Sequence, residues 1–164
     1  MLNVEKSISH INLISAVSVA HIEAIRALFI EYQEWLNVSL CFQGFDEELA
    51  SLPGKYSPPG GKLYLVEYEG TAAGCIALRP MKEDGVCEMK RLFVRKQFRG
   101  KGIGKILAEQ IISDAKSIGY SFMRLDTLTR METARALYAN LGFMVIPAYY
   151  HNPLNDTVYM ELRL

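Results

Sequence analysis

The run Val86-Cys87-Glu88-Met89-Lys90-Arg91-Leu92-Phe93-Val94, continued by Arg95-Lys96-Gln97-Phe98 and Arg99-Gly100-Lys101-Gly102-Ile103-Gly104, decides the fold. Its first part is apolar with Glu88, Lys90 and Arg91 interspersed, which reads as a strand over Val86–Val94. Ile103, Ile106, Leu107, Ile111 and Ala115 recur on one face and predict a helix over Gly102–Ile118, ended by Gly119. The first amides of a helix lack an intrahelical acceptor and carry an aggregate partial positive charge. Missing side chains at Gly100, Gly102 and Gly104 let a pyrophosphate approach that backbone closely. Arg95, Lys96, Arg99, Lys101 and Lys105 add a local positive field. The strand, the glycine turn, the basic residues and the helix start together predict an anion site. The spacing is not GxxxxGK[ST], and Lys105 stands where GxGxxG needs its third glycine, so a nucleoside-triphosphate loop and a dinucleotide fold are both disfavoured.

Outward from this stretch, the chain reads as alternating strands and helices. Upstream, Ile8–Val17 reads as a first strand. Ala20–Val38 reads as a helix whose apolar face holds Ile22, Ile25, Leu28, Phe29, Tyr32, Trp35 and Leu36. Trp35 is expected in the core. Phe45–Ser51 is a short capped helix, and Pro53-Gly54 and Ser57-Pro58-Pro59-Gly60-Gly61 are breaks. Leu63–Tyr68 and Gly74–Leu78 read as a hairpin about Glu69-Gly70, with Pro80 stopping its second strand. Downstream come a strand over Ser121–Leu128, a helix over Glu132–Leu141 stopped by Gly142, and closing strands over Phe143–Ile146 and Thr157–Leu164. The order βα(α)βββαβαββ predicts an α/β protein with a mixed sheet in a single domain over residues 1–164.

Composition bounds the function. Lys plus Arg equals Asp plus Glu at 18 each, so the formal net charge is zero. A broad nucleic-acid surface or an anionic-membrane surface needs a basic excess, and neither partner is expected. No stretch reaches the roughly 20 apolar residues of a membrane span. His10, Asn12, Ser15 and Ser18 interrupt the mildly apolar start, which makes a poor signal-peptide core. Cys41, Cys75 and Cys87 are odd in number and lack CxxC spacing, so no disulfide or metal framework is implied. Cys75 and Cys87 lie in strands as small apolar residues. A reduced, cytoplasmic protein is the expectation. His10, His21 and His151 are scattered, and no metal site is expected.

The segment Arg99-Gly100-Lys101-Gly102-Ile103-Gly104 fits the [QR]-x-x-G-x-[GA] signature of the GNAT N-acetyltransferase superfamily. Ala134-Arg135-Ala136-Leu137-Tyr138-Ala139-Asn140-Leu141-Gly142-Phe143 resembles that family's second segment, a helix ending in LY…GF. The strand order agrees as well, and the resemblance covers most of the chain. It implies the GNAT acyl-CoA N-acyltransferase fold: a central, mostly antiparallel twisted sheet splayed at its fourth and fifth strands, with helices on both faces. It implies acetyl-CoA as cofactor, its pyrophosphate on the backbone of Arg99, Gly100, Lys101, Gly102, Ile103, Gly104 and Lys105. The pantetheine arm would run beside Leu92, Phe93 and Val94 like an added strand, with main-chain bonds from Leu92 and Val94. Many members carry Asn seven residues before the motif tyrosine. Met131 stands there in this chain, and no contact is carried over to it.

Acyl transfer from a thioester needs a neutral amine and a proton for the leaving thiolate. An amine with a pKa of about 10.4 is neutral in roughly one molecule in 2,500 at pH 7. A positioned base offsets part of that, typically about 10²–10⁴ in rate. Tyr138, on the second motif's helix, is the candidate acid for the thiolate; the alternative is a packing tyrosine. Glu88 is the candidate base, at a position where some members carry a catalytic Glu. The alternatives are a strand residue paired with Lys90, and deprotonation through water. Asp126 and Thr127 end a strand beside the expected cleft; they could touch substrate, or Asp126 could brace Thr129–Met131. Tyr149, Tyr150 and His151 either line the acceptor site or pack on the sheet. The resulting expectation is transfer of acetyl from acetyl-CoA to a primary amine of a small molecule or amino acid, by direct attack in a ternary complex. The alternatives are a protein or peptide acceptor and a non-catalytic CoA-binding module. Many members dimerise through the closing strands, which leaves a homodimer open.

Overall fold

A computed structural model of the chain describes residues 10–164. β1 (Ile11–Ser15), α1 (Val19–Leu36) and α2 (Phe45–Ser51) precede three successive strands, β2 (Lys62–Tyr68), β3 (Thr71–Pro80) and β4 (Val86–Val94). Then come α3 (Ile103–Ile118), β5 (Phe122–Leu128), α4 (Glu132–Asn140), β6 (Met144–Ile146) and β7 (Thr157–Arg163), in the order the sequence predicts. Ile8 and Ser9 of the expected first strand lie outside the described residues.

The element boundaries have local causes. The Ser18 side chain accepts from the His21 amide at 3.2 Å and starts α1. Asn37 takes a left-handed conformation, φ 54°, and ends it two residues earlier than Val38. Glu69 and Gly70 both have positive φ, 50° and 80°, which gives the β2–β3 hairpin a turn matched to strand twist. Pro80 does not cut β3 short. It is the strand's last residue and pairs with Cys87, where a missing N–H costs little.

The sheet order is β1-β2-β3-β4-β5-β7-β6. All neighbours are antiparallel except β4 and β5, which run parallel. Each face carries its own core. Leu63, Leu65, Cys75 and Ala77 pack with α1 and α2, while Val66, Ile76 and Leu78 pack with α3 and α4. Serving two cores explains why β3 is buried at both alternating sets. On α3 the stripe Ile103, Leu107, Ala108, Ile111 and Ala115 is at most 1% exposed. Each buried Leu or Ile there contributes about 1.5–3 kcal/mol, and truncating Ile111 to Ala costs about 2–5 kcal/mol.

Two irregularities in β4 position the site. Its parallel ladder with β5 covers only Val86↔Phe122, Cys87↔Met123 and Glu88↔Arg124, after which the strands part. Against β3, Lys90 faces Ala77 and Phe93 faces Cys75, so β4 carries one extra residue. Arg91 sits in that bulge at φ 59°. The bulge turns Lys90 and Arg91, neighbours in sequence, to the same side: both donate to Gln43 Oε1, at 3.1 and 2.9 Å.

Candidate active site

Two of the three glycines of the turn take a left-handed backbone. Gly100 and Gly102 lie at φ 79° and 78°, where an L side chain is strained. Gly102 starts α3 without a side-chain cap, and the first helical bond runs from the Ile106 amide to the Gly102 carbonyl at 3.1 Å. The amides of Ile103, Gly104 and Lys105 therefore have no acceptor within the helix, and no acidic residue occupies the first turn.

These amides open onto a cleft of about 420 Å³. Leu92, Phe93 and Val94 form its strand wall; Arg99, Gly100, Gly102, Ile103, Gly104 and Lys105 form the turn side. Lys101 is not on the lining; its ammonium lies 4.8 Å from the centre of the Tyr68 ring. Arg99 donates through Nε to the Val94 carbonyl at 2.9 Å. Its guanidinium lies 4.5 Å from the Trp35 ring centre. Trp35 is 43% exposed and lines the cleft, so it is not the core residue expected from its helical position. The reason is that the apolar stripe of α1 runs off the core into the cleft: Tyr32 and Trp35 stack toward Phe93, with centroids 5.7 and 5.9 Å from its ring.

A second cavity, of about 60 Å³, shares Leu92, Met131 and Ala134 with the cleft and is bounded by Tyr32, Lys90, Asp126 and Tyr138. It occupies the gap where β4 and β5 have parted. Tyr138 is 7% exposed and packs edge-on against Phe143 at 5.8 Å. Tyr138 and Tyr32 both line this cavity, and neither hydroxyl has a hydrogen-bond partner among the described residues. Burial, with Tyr32 and Asp126 adding to it, holds the Tyr138 hydroxyl far above the ordinary phenol range, so it stays protonated.

Glu88 lies elsewhere. It is 1% exposed, does not line the cavity, and is fully engaged. Arg79 donates to its Oε1 through Nε at 2.8 Å and lies 2.7 Å away through Nη2; the Tyr149 hydroxyl donates to its Oε2 at 2.5 Å. The pairing with Lys90 weighed from strand geometry is present only at 3.9 Å. Asp126 does reach the cavity. It accepts from the Tyr150 hydroxyl at 2.7 Å, and Lys90 Nζ lies 3.5 Å away. Burial raises its pKa, but Lys90, the Tyr150 hydroxyl and Arg91 outweigh burial and hold it below the usual carboxylate range. Thr127 is also on the wall. Tyr149, Tyr150 and Tyr159 pack as a cluster with centroids 5.2–5.6 Å apart. Of the two expectations for Tyr149 and Tyr150, packing describes them: neither lines the cavity or the cleft, and their hydroxyls donate to carboxylates of β4 and β5. His151 is exposed and lines neither space.

Sequence reasoning leaves Gln43, Tyr32 and Lys90 without a role in the site. Glu88, Lys90 and Arg91 are 1%, 6% and 5% exposed, a burial that three charges in a strand pattern do not signal. Cys75 and Cys87 are fully buried as expected, and burial pushes the Cys87 thiol up to about 12. Among the described residues no group of three or more His, Cys, Asp or Glu is placed to hold a metal ion. No helix among them is long and apolar enough to cross a membrane.

Comparison with known proteins agrees with this geometry. The family model described as Acetyltransferase (GNAT) family matches residues 23–143. An uncharacterized N-acetyltransferase of Schizosaccharomyces pombe is 42% identical over 153 residues, covering 92% of this chain and 94% of that protein. The N-acetylaspartate synthetase of Xenopus tropicalis is 32% identical over 113 residues, covering 64% of this chain and 41% of that protein. The PaiA N-acetyltransferase of Thermoplasma acidophilum, solved in complex with coenzyme A, superposes with a TM-score of 0.70 at 17% identity, over 94% of this chain and 99% of that one. The chain belongs to the GNAT family and is an acetyl-CoA-dependent N-acetyltransferase.

Proposed function

We propose that this enzyme acetylates the primary amine of a small molecule by direct attack on bound acetyl-CoA. The observation that carries this reading is the join between the two spaces: a cleft headed by free helix amides meets, at Leu92, Met131 and Ala134, a small cavity holding Tyr138. The pyrophosphate is assigned to the amides of Ile103, Gly104 and Lys105, with Gly100 and Gly102 leaving the approach open. Arg99 and Lys105 supply charge beside it, and Lys101 acts only through its field. The pantetheine runs beside Leu92, Phe93 and Val94, whose β5-facing edge β5 leaves unpaired. The thioester then points at Tyr138.

The amine nitrogen bonds to the acetyl carbon and the carbon–sulfur bond breaks. One ammonium proton goes to solvent, and Tyr138 passes a proton to the departing sulfur as it regains one from the amine. Glu88 has no free oxygen turned to the cavity, which supports proton loss through water over direct abstraction by Glu88. We assign Glu88 to holding Arg79 and Tyr149 behind the cavity wall. A cavity of about 60 Å³, small against the roughly 300–1,000 Å³ of drug-sized sites, supports a small acceptor over a peptide. The Xenopus relative, an N-acetylaspartate synthetase, points the same way. Met144 and Val145 on the outer strand β6 are 73% and 70% exposed, which supports self-association along that edge, to be read by light scattering.

An acceptor screen that follows free CoA with a thiol reagent tests the activity. Tyr138→Phe is expected to keep acetyl-CoA affinity and lose about 10²-fold or more in kcat. A Tyr138→Phe enzyme with wild-type kcat removes the acid assignment.

A further inference from the structure

The cavity beside Tyr138 holds opposite charges that are near each other but poorly joined. Lys90 is 6% exposed, and its ammonium makes one close hydrogen bond, 3.1 Å to the neutral amide oxygen of Gln43. Its carboxylate neighbours stand off, Asp126 at 3.5 Å and Glu88 at 3.9 Å. An ammonium offers three donors, so this one is short of partners. Asp126 commits Oδ2 to the Tyr150 hydroxyl and leaves Oδ1 facing only the distant lysine. The surrounding charges are closed. Arg91 is bidentate on Glu48 at 2.9 and 3.0 Å, and Arg79 holds Glu88. Of the three carboxylates, only Asp126 lines the cavity.

We propose that Lys90 and Asp126 form the acceptor-recognition pair and that the acceptor is a small neutral amino acid, its carboxylate on Lys90 and its ammonium on Asp126. This rests on the small-amine reading above. Three cations, Arg79, Lys90 and Arg91, balance three carboxylates, Glu48, Glu88 and Asp126, in this buried group. Buried charge without a counter-charge is costly. A zwitterion brings one charge of each sign, completes both deficient partners and leaves the balance at zero. A diamine adds uncompensated positive charge, and an acidic amino acid adds a negative one. The cavity's small volume selects a short side chain. Acetylation removes the ammonium and keeps the carboxylate, so the product carries a net negative charge that Asp126 repels, which favours its release.

The test compares kcat/KM for L-alanine, L-alaninamide, L-aspartate and putrescine in the wild type and in Lys90→Met, with acetyl-CoA affinity measured by calorimetry as the check on folding. A charge-assisted hydrogen bond carries about 1.5–3 kcal/mol, so alanine is expected to exceed alaninamide by about 10–150-fold in the wild type. In Lys90→Met that ratio falls to near one while acetyl-CoA still binds. Alaninamide, putrescine or aspartate used as well as or better than alanine overturns the inference and leaves the small-amine reading standing. An alanine-to-alaninamide ratio unchanged in Lys90→Met also overturns it. No CoA release from any of the four, with acetyl-CoA bound, overturns both.

Discussion

Replacing Arg91 tests whether the β4 bulge is held by its ion pair. Arg91 is 3% exposed in its side chain and grips Glu48, 15% exposed, through Nε and Nη2; Nη1 donates to Gln43 at 2.9 Å. Arg91→Met removes one partner and leaves Glu48 charged in a poorly solvated site. Breaking a buried pair this way costs about 3–5 kcal/mol, and the partial exposure of Glu48 puts the expectation near 3 kcal/mol. For a domain of this size that lowers Tm by about 6–12 °C. Adding Glu48→Leu removes the orphaned charge, and the double variant is expected to recover to within about 1 kcal/mol of wild type. The φ of 59° supplies a second, independent comparison. Glycine tolerates that conformation and alanine does not, so Arg91→Gly should be about 1–2 kcal/mol more stable than Arg91→Ala, the reverse of the usual strand preference. Urea unfolding at pH 7 followed by circular dichroism measures all of these, with unchanged m-values as the two-state check. A loss under 1 kcal/mol for Arg91→Met, together with equal stability of the Gly and Ala variants, refutes the reasoning.

The cofactor cleft and the buried thiols give three further expected outcomes. Gly102 has φ 78° and no atom within 4 Å of an added Cβ, so Gly102→Ala strains only the backbone; the cost of about 1–2 kcal/mol should appear as lost stability in urea unfolding, and an unchanged midpoint contradicts the left-handed turn. Trp35 is the chain's one tryptophan and lines the cleft, so acetyl-CoA should change its emission saturably; calorimetric binding with constant emission counts against the assigned path. Cys41 is exposed while Cys75 and Cys87 are buried with raised thiol pKa values, so a thiol reagent at pH 8 should titrate one group in the native enzyme and three in urea; rapid reaction of more than one native thiol contradicts the packing of β3 and β4.

What is legible in the sequence is what is local. The strand Val86–Val94, the glycine turn and α3 follow one another within one short stretch; Gly100 and Gly102 have positive φ, while Gly104 is helical. Tyr138 is reached through its motif, and the structure puts it on a cavity wall. Trp35 misleads because helical periodicity marks an apolar stripe without saying where the core stops. For Glu88 the sequence leaves a base and a Lys90 partner both open, and its actual partners, Arg79 and Tyr149, are not legible because they come from β3 and from the loop before β7. The extra residue at Arg91 is not legible, because only pairing with β3 reveals that the register shifts. Yet that shift is what lets Lys90 and Arg91 share Gln43, so the cavity beside Tyr138 depends on the least local feature of the strand.

The parted strands also bear on stability. Backbone groups within a sheet are ordinarily paired, and leaving them without partners is costly. β4 loses β5 as its neighbour after Glu88, and the amides that open α3 have no helical acceptor. These deficits lie at adjoining places, and in the proposed placement one elongated ligand would relieve both, its diphosphate at the helix and its amide arm along the strand. Binding confined to the native state stabilises it by about 2.7 kcal/mol at a hundredfold excess over Kd. Acetyl-CoA at that excess should raise Tm by about 5–11 °C. At the same molar concentration, CoA itself should do nearly as well, because in the proposed placement the relieved groups contact the shared diphosphate and pantetheine rather than the acetyl group. Dephosphorylated pantetheine, lacking the diphosphate, should give a small fraction of the shift. Equal shifts from pantetheine and CoA would show that the α3 amides contribute nothing, and the link from the glycine turn to catalysis would be broken.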